Sequence, residues 1–268
     1  MTWPFDVAPP VPLPPGRSVV AGEGDGQRLP LWISDAPAPD GLWEQLHRAH
    51  PQSGLWPLLL SPLDDGPDFR PWLSGELYPE HASDPAEHDP AAVLREWWEP
   101  GEDFDPEDFD PEDFEEEAEA LAPYGAAWPG LAPAATVPDG AADAEARGLA
   151  GVLQSVKDVR LGLVRAGSGA EALVACGWSG PLNHENDIAK IAAVLADWEC
   201  RFGAQVVEVG FDTLQLSVAV PPATLAEALP LAAEHAAFCP DQVHQGTGTL
   251  TAYAEQLVGS HRWSFWWD

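Results

Sequence analysis

The pattern of apolar residues predicts a helix that runs directly into a β-hairpin in the C-terminal half of the chain. Apolar residues first recur at spacings of three and four, which places them on one helix face; they are Ile188, Ile191, Leu195, Trp198 and Phe202. Gly203 follows, where a left-handed C-cap is expected. The spacing then changes to two, as in a strand with one buried face, at Leu214, Leu216, Val218 and Val220.

Similar patterns predict the elements around this unit. Strands are predicted at residues 29–34, 55–60, 159–165 and 263–267, and helices at residues 40–46, 89–98, 168–176, 224–236 and 249–257. Pro57 would have to lie at a sheet edge or a bulge. The element order predicts an α+β protein. Its C-terminal domain has a small, largely antiparallel sheet with helices packed on one face, and its N-terminal region is smaller and α/β-like.

Composition divides the chain into four parts. Residues 1–16 are a Pro-rich arm, residues 17–98 the N-terminal α/β-like region, residues 99–149 an acidic, Pro/Ala-rich disordered linker, and residues 150–268 the C-terminal α+β domain. The linker repeats the unit D-F-D-P-E from residue 103, which spaces Phe104, Phe109 and Phe114 evenly. Two interpretations stay open: a solvated tether, or an acidic segment that binds a partner while disordered.

Charge and cysteine content exclude several classes of function. The chain has 44 acidic and 12 basic residues, a formal net charge of −32. We therefore expect it to bind neither nucleic acid nor an anionic membrane. The N-terminus lacks the features of a secretory signal, and no apolar run approaches the roughly 18 residues that cross a bilayer. The chain has three cysteines, Cys176, Cys200 and Cys239, whose spacing shows no pairs. This argues against a disulfide framework and predicts that the protein resides in the reducing cytoplasm.

The densest cluster of reactive residue types is E-H-A-A-F-C-P-D-Q-V-H, residues 234–244. His235 and Cys239 are four residues apart, which would place them on one helix face. A cysteine with a nearby histidine is the minimum set of groups for an activated thiolate, and Asp241 or Glu234 could be the third group. Alternatively, His235, Cys239 and His244 can supply three zinc ligands. A buried helix end competes with both interpretations, because the spacing matches no familiar metal or nucleophile signature. No phosphate loop or G-x-S-x-G motif is present in the sequence, and no cofactor is predicted.

A second set of candidates suits binding. Asn183 and His184 precede the predicted helix, where a helix N-terminus favours anions. Alternatively, Asn183 or Asn186 caps the helix and the neighbouring acids complement its dipole. Trp263, Phe265 and Trp267 alternate and are predicted to face the core, so Trp266 points the other way. Because tryptophan is enriched in protein interfaces, Trp178 and the outward-facing Trp266 are candidate residues of a binding surface.

Several stretches resemble a known bacterial family. They are W-E-C-R-F-G-A-Q-V-V-E-V-G-F-D-T-L-Q-L-S-V-A-V-P-P, A-E-H-A-A-F-C-P-D and W-S-F-W-W-D. Together they resemble the family catalogued as domain of unknown function 4253, over about residues 155–268. The resemblance implies a soluble bacterial protein, and it brings no established activity and no assigned catalytic residues.

The sequence favours a non-enzymatic module that binds another protein, in particular one with a basic surface. One form would be an immunity protein that covers the basic active site of a toxin. The alternatives are a hydrolase-like enzyme that uses Cys239 and His235, and a metal-binding protein at His235, Cys239 and His244. The sequence leaves the oligomeric state open.

Overall fold

The computed structural model describes residues 3–22, 28–63, 69–99 and 111–268. Phe104 and Phe109 of the acidic repeat lie outside the described residues, and so does the side chain of Phe114. The strands are β1 (Gly16–Val19), β2 (Leu31–Pro37), β3 (Leu55–Leu60), β4 (Arg160–Arg165), β5 (Ala204–Val209), β6 (Thr213–Val218) and β7 (Arg262–Trp266). The α-helices are α1 (Leu42–Ser53), α2 (Pro90–Trp98), α3 (Pro111–Ala120), α4 (Ala141–Val156), α5 (Gly169–Cys176), α6 (Ile188–Phe202), α7 (Leu225–Phe238) and α8 (Leu250–Leu257).

All seven strands form one sheet, and this confirms the α+β class. The strand order is β1-β2-β4-β3-β5-β6-β7. Every neighbouring pair is antiparallel except β3 and β5, which run parallel and pair at Leu59 and Leu60. Strand β4 lies between β2 and β3, so residues 17–98 and residues 150–268 contribute strands to the same sheet, where the sequence predicts two separate regions.

Helices cover both faces of this sheet, whereas the sequence predicts helices on one face only. Along β3, Leu58 and Leu60 face a core shared with α5, α6 and α7, while Leu55 and Leu59 face a second core with α1 and α4. Every residue of β3 and β5 is buried. Strands in the middle of a doubly covered sheet are apolar on both sides, which is why their sequences do not alternate.

The helix-hairpin unit forms as its pattern predicts. Helix α6 begins after Asp187, whose carboxylate accepts from the amide of Ala189, so the N-cap is Asp187 and not Asn183 or Asn186. The helix ends at Gly203, which has a φ of 65° and leads straight into β5. Strand β6 then pairs with β7, and Trp263, Phe265 and Trp267 are all buried, as their alternation predicts.

Part of the predicted linker is packed against the rest of the molecule. Ala132 is buried, and the ring of Trp128 lies 5.8 Å from that of Trp98. Helix α4 begins at Ala141, and its small apolar side chains contact the second core. Alanine pays little side-chain entropy on ordering and packs closely, so an Ala-rich segment can fold here without a strong apolar pattern.

The Pro-rich arm is packed against the rest of the protein. Its residues Trp3 and Phe5 contact the second core. Pro57 lies in β3 at the centre of the sheet, not at an edge or a bulge. Strand β3 pairs with β5 only at Leu59 and Leu60, so no hydrogen bond to β5 is lost through the missing amide of Pro57.

Within the described part of the chain, no helix is long and apolar enough to cross a membrane.

Candidate functional site

Cys239 lies at the open edge of β7, where it has a structural role. It is fully buried, and its thiol donates to the backbone carbonyl of Trp266 with a sulfur–oxygen distance of 2.8 Å. Burial raises the pKa of the thiol to about 12. Gln242 donates to the carbonyl of Ser264, 2.9 Å away, so these two side chains cover carbonyls that a further strand would use. A thiolate nucleophile needs a lowered pKa and access, and Cys239 has neither.

His235 is enclosed by aromatic rings and stays neutral. Its Nδ1 lies 3.0 Å from the Tyr253 hydroxyl, and its ring lies 4.5 Å from that of Trp263. Burial, together with the charge of Arg201, lowers the pKa of His235 well below its ordinary value. This geometry pairs His235 with Tyr253 and does not show it activating the Cys239 thiol.

The other members of this cluster lie in different surroundings. Glu234 is fully buried in an ion pair with Arg201. Asp241 accepts from the amide of Asp268 and from Gln245, and His244 is more exposed and lies 3.5 Å from Glu117. Among the described residues, no group of three or more His, Cys, Asp or Glu side chains could hold a metal ion. His235, Cys239 and His244 are therefore not assembled as a metal site.

The loop after α5 builds a pocket on the molecule's surface. Gly177 has a φ of 73°, and a Cβ there would lie 2.1 Å from the backbone nitrogen of Pro79. The loop can therefore lie directly against residues 78–79, and Tyr78 donates its amide to the Gly177 carbonyl at 2.7 Å. Gly180 allows a second close approach, because a Cβ there would lie 2.1 Å from the ring of Trp178.

Trp178 is buried next to this pocket's lining and fixes the turn between β5 and β6. It is 1% exposed, and its indole nitrogen donates to the carbonyls of Gly210 and Phe211 at 2.9 and 3.1 Å. Its ring contacts Trp267 edge-on at 5.7 Å. Trp178 thus joins the loop after α5, the hairpin turn and the end of β7; residues 76–78 form the remaining wall of the pocket.

The pocket has a volume of about 360 Å³ and combines aromatic walls with acidic side chains. It is lined by Glu76, Tyr78, Ser179, Gly180, Leu182, Asn183, Phe211, Asp212, Trp267 and Asp268. Three of these residues carry carboxylates and none is basic. Leu182 is 55% exposed at the pocket mouth. Such a combination of π faces and carboxylates suits a cation with an apolar stem.

Of the four binding residues predicted from sequence, one lines this pocket and a second contacts its lining. Asn183 lines it and donates to the backbone carbonyl of Asp268 at 3.0 Å, and Trp178 contacts the lining residues Phe211 and Trp267. His184 packs instead against Trp97 at 5.1 Å, and burial lowers the pKa of its imidazole. Trp266 is half-buried on β7 and does not line the pocket.

The acidic side of the pocket is held by an internal ion pair. Arg70 donates to both carboxylate oxygens of Glu76, with distances of 2.8 and 2.5 Å, and Ser74 donates to the same carboxylate at 2.5 Å. Hydrogen bonds from Arg70 and then Ser74 lower the pKa of Glu76 to about 2. Glu76 is therefore ionised throughout the neutral range.

The structure also brings together a serine, a histidine and an aspartate that sequence reasoning did not connect. Ser83 Oγ lies 2.6 Å from His88 Nε2 and donates to Asp187 Oδ2 at 2.5 Å, while His88 and Asp187 are 3.6 Å apart. In a catalytic triad the histidine lies between the other two groups, whereas here the serine does. Since Asp187 also caps α6, we interpret this cluster as a structural contact that attaches residues 83–88 to the start of that helix.

Comparison with known proteins finds a family match over the C-terminal part of the chain. Residues 160–268 match the family model described as Domain of unknown function (DUF4253). This confirms the resemblance predicted for the C-terminal region. The DUF4253 region supplies Asn183, Phe211, Asp212, Trp267 and Asp268 to the pocket, whereas the 76–78 wall comes from outside it. No curated protein matches the chain, and no solved structure matches it.

Proposed function

We propose that this protein is a non-enzymatic binding module for a partner protein with a basic surface, and that a lysine or arginine side chain of the partner enters the aromatic–acidic pocket. The observation that carries the proposal is the pocket lining, which combines the carboxylates of Glu76, Asp212 and Asp268 with the rings of Tyr78 and Phe211. Carboxylates attract the charged end of such a side chain, and the aromatic faces contact both its stem and its charge.

The charge of the whole chain supports the same partner class. A net charge of −32 attracts a basic surface over distances of about a Debye length and accelerates its association. An immunity-like protein that covers the basic surface of a toxin is one kind of protein with this requirement. The unpaired Cys176, Cys200 and Cys239 support a reducing compartment such as the cytoplasm.

The properties of Cys239 favour binding over the hydrolase alternative. A buried thiol with a raised pKa that donates to a backbone carbonyl stabilises the edge of β7 and is not an available nucleophile. The same burial separates His235 from solvent.

The proposal is tested by titrating the protein, followed by NMR, with the blocked peptides acetyl-Gly-Arg-Gly-amide, acetyl-Gly-Lys-Gly-amide and acetyl-Gly-Gln-Gly-amide. We expect the two cationic peptides to bind in the millimolar range, to shift the signals of Phe211 and of the Trp267 indole, and to bind less well at high salt. The glutamine peptide should leave these signals unchanged.

A matched pair of variants separates the pocket from general charge. Asp268→Asn should weaken binding of both cationic peptides, while Glu255→Gln removes a charge from the exposed side of α8, outside the pocket, and should leave binding nearly unchanged. Equal losses in the two variants, or no shift at Phe211 in the wild type, would contradict the proposal.

A further inference from the structure

Arg70 already makes, inside the protein, the contacts that a ligand cation would make. Its guanidinium forms two parallel hydrogen bonds to Glu76, and its central carbon lies 5.0 Å from the centroid of the Phe211 ring. Glu76 and Phe211 both line the aromatic–acidic pocket. One wall of the pocket is therefore built from two side chains that hold a guanidinium by a carboxylate fork and a ring face.

We infer that Arg70 is a built-in competitor for the pocket's ligand, and that the pocket's preferred ligand is an arginine side chain, which exchanges with Arg70 at Glu76 and Phe211. This inference rests on the proposed function and deepens it. A planar guanidinium can reproduce the fork to Glu76 and the contact with the Phe211 ring, whereas a lysine ammonium cannot form the parallel fork and stacks less well on a ring.

The exchange is plausible energetically because the internal pair is only partly buried. The Arg70 and Glu76 side chains are 41% and 35% exposed, and ion pairs in such positions contribute little to stability. The ion pair itself is therefore a small part of the cost of exchange, and an incoming guanidinium regains the ring contact with Phe211.

Ser74 keeps Glu76 in position when Arg70 leaves. Its hydroxyl donates to Glu76 Oε2 at 2.5 Å, so one carboxylate oxygen stays oriented by a neighbour two residues away. The carboxylate presented to an incoming guanidinium is thus partly fixed by Ser74. Preorganisation of this kind lowers the entropic cost of binding.

The experiment compares the wild type with Arg70→Gln, Arg70→Lys and Arg48→Gln, using acetyl-Gly-Arg-Gly-amide and acetyl-Gly-Lys-Gly-amide as probes. Removing the competitor should tighten binding of the arginine peptide about two- to fivefold, as expected for loss of one exposed ion pair. Arg70→Lys keeps the charge but loses the fork, so its affinity should lie between those of Arg70→Gln and the wild type.

Arg48→Gln is the matched control for net charge. Arg48 pairs with Glu44 on α1, and its side chain is 64% exposed outside the pocket, so its removal changes the total charge by the same amount. We expect wild-type affinity from it. The wild type should also bind the arginine peptide more tightly than the lysine peptide.

The possible failures are distinguishable. If the wild type binds both peptides but Arg70→Gln binds the arginine peptide no more tightly, the competitor role is overturned and the proposed function stands. If neither the wild type nor Arg70→Gln binds either peptide, both are overturned. Should Arg70→Gln prove unfolded by circular dichroism, the position of Arg70→Lys relative to the wild type decides: wild-type affinity or weaker binding rejects the competitor role.

Discussion

Arg201 on α6 reaches into the core and pairs with Glu234 on α7, a residue that is fully buried. The guanidinium donates to both carboxylate oxygens, at 3.0 and 2.5 Å, and also to the carbonyl of Ala132 at 2.9 Å. Glu234 accepts in addition from the amide of Ala132 and the indole of Trp198. The ion pair therefore joins three segments, and it attaches the stretch before α4 to helices α6 and α7.

Replacing Glu234 with glutamine should strongly destabilise the protein. Burial alone would lower the pKa of Arg201, but Glu234 and Asp197 raise it above its ordinary value, so the guanidinium stays charged. Breaking a buried pair costs about 3–5 kcal/mol, and Asp197 still accepts from Arg201 in the variant. We therefore expect a loss of about 3 kcal/mol in the free energy of unfolding, measured in urea.

The double variant Arg201→Met, Glu234→Leu tests whether this loss comes from an unpaired charge. Replacing a whole buried pair with apolar side chains of similar volume is often tolerated. The double variant should lose less stability than the two single variants added together. Strict additivity would mean that the two side chains act independently.

The three cysteines should differ sharply towards alkylating agents. Cys200 is exposed, whereas Cys176 and Cys239 are buried and burial raises the pKa of each to about 12. At pH 7 only about one in 10⁵ of the Cys239 side chains would be thiolate. Brief treatment of the native protein with iodoacetamide should modify Cys200 alone, as read by mass spectrometry of its peptides. Cys239 that reacts as fast as Cys200 would revive the nucleophile interpretation.

His235 should make the protein less stable in mild acid. Its pKa is lowered in the folded state, while the unfolded chain binds a proton with a pKa near 6.5. Below pH 6.5 the unfolded state thus binds more protons than the folded state. The contribution of His235 to stability is therefore complete above about pH 6.5 and is lost as the pH falls. When the pH falls from 7 to 5.5, the free energy of unfolding of His235→Asn should decrease by about 1 kcal/mol less than that of the wild type.

A core variant without a titrating group controls for lower stability as such. Leu231→Ala removes a fully buried side chain from α7 and should reduce the free energy of unfolding at every pH. Its pH dependence should nevertheless match the wild type. If His235→Asn also kept the wild-type dependence on pH, His235 would have to be protonated inside the folded protein.

The sequence predicts those elements whose signals are local. Helix α6 and the following hairpin combine a clear period with a glycine C-cap at Gly203, so local and tertiary preferences agree, although the N-cap is Asp187 and not an asparagine. Helix α4 has instead small buried residues such as Ala146 and Ala150, and its pattern has little contrast with the Ala-rich segment before it. The parallel pairing of β3 with β5 joins residues more than 140 positions apart, and no local pattern reports it.

The candidate site was accessible to sequence reasoning only in part. Trp178 and Asn183 belong to one loop, and their residue types indicate a binding surface. Glu76 and Phe211 come from two other loops, and only the sheet topology and the close approach at Gly177 place them beside that loop. The signal that could have indicated the contact is the G-W-S-G sequence, in which two glycines flank a tryptophan and allow close packing.

Trp178→Phe should damage the pocket more than its small change in volume suggests. The variant keeps an aromatic ring but leaves the carbonyls of Gly210 and Phe211 without their buried donor, at a cost of about 1–3 kcal/mol. The turn that carries Phe211 should become more mobile, so affinity for the arginine peptide should fall together with stability. Trp263→Phe is the matched control, because Trp263 is equally buried but its indole nitrogen has no hydrogen-bond partner among the described residues. That variant should retain wild-type peptide binding, and a similar loss of binding in both variants would show that general destabilisation, rather than the hairpin turn, is responsible.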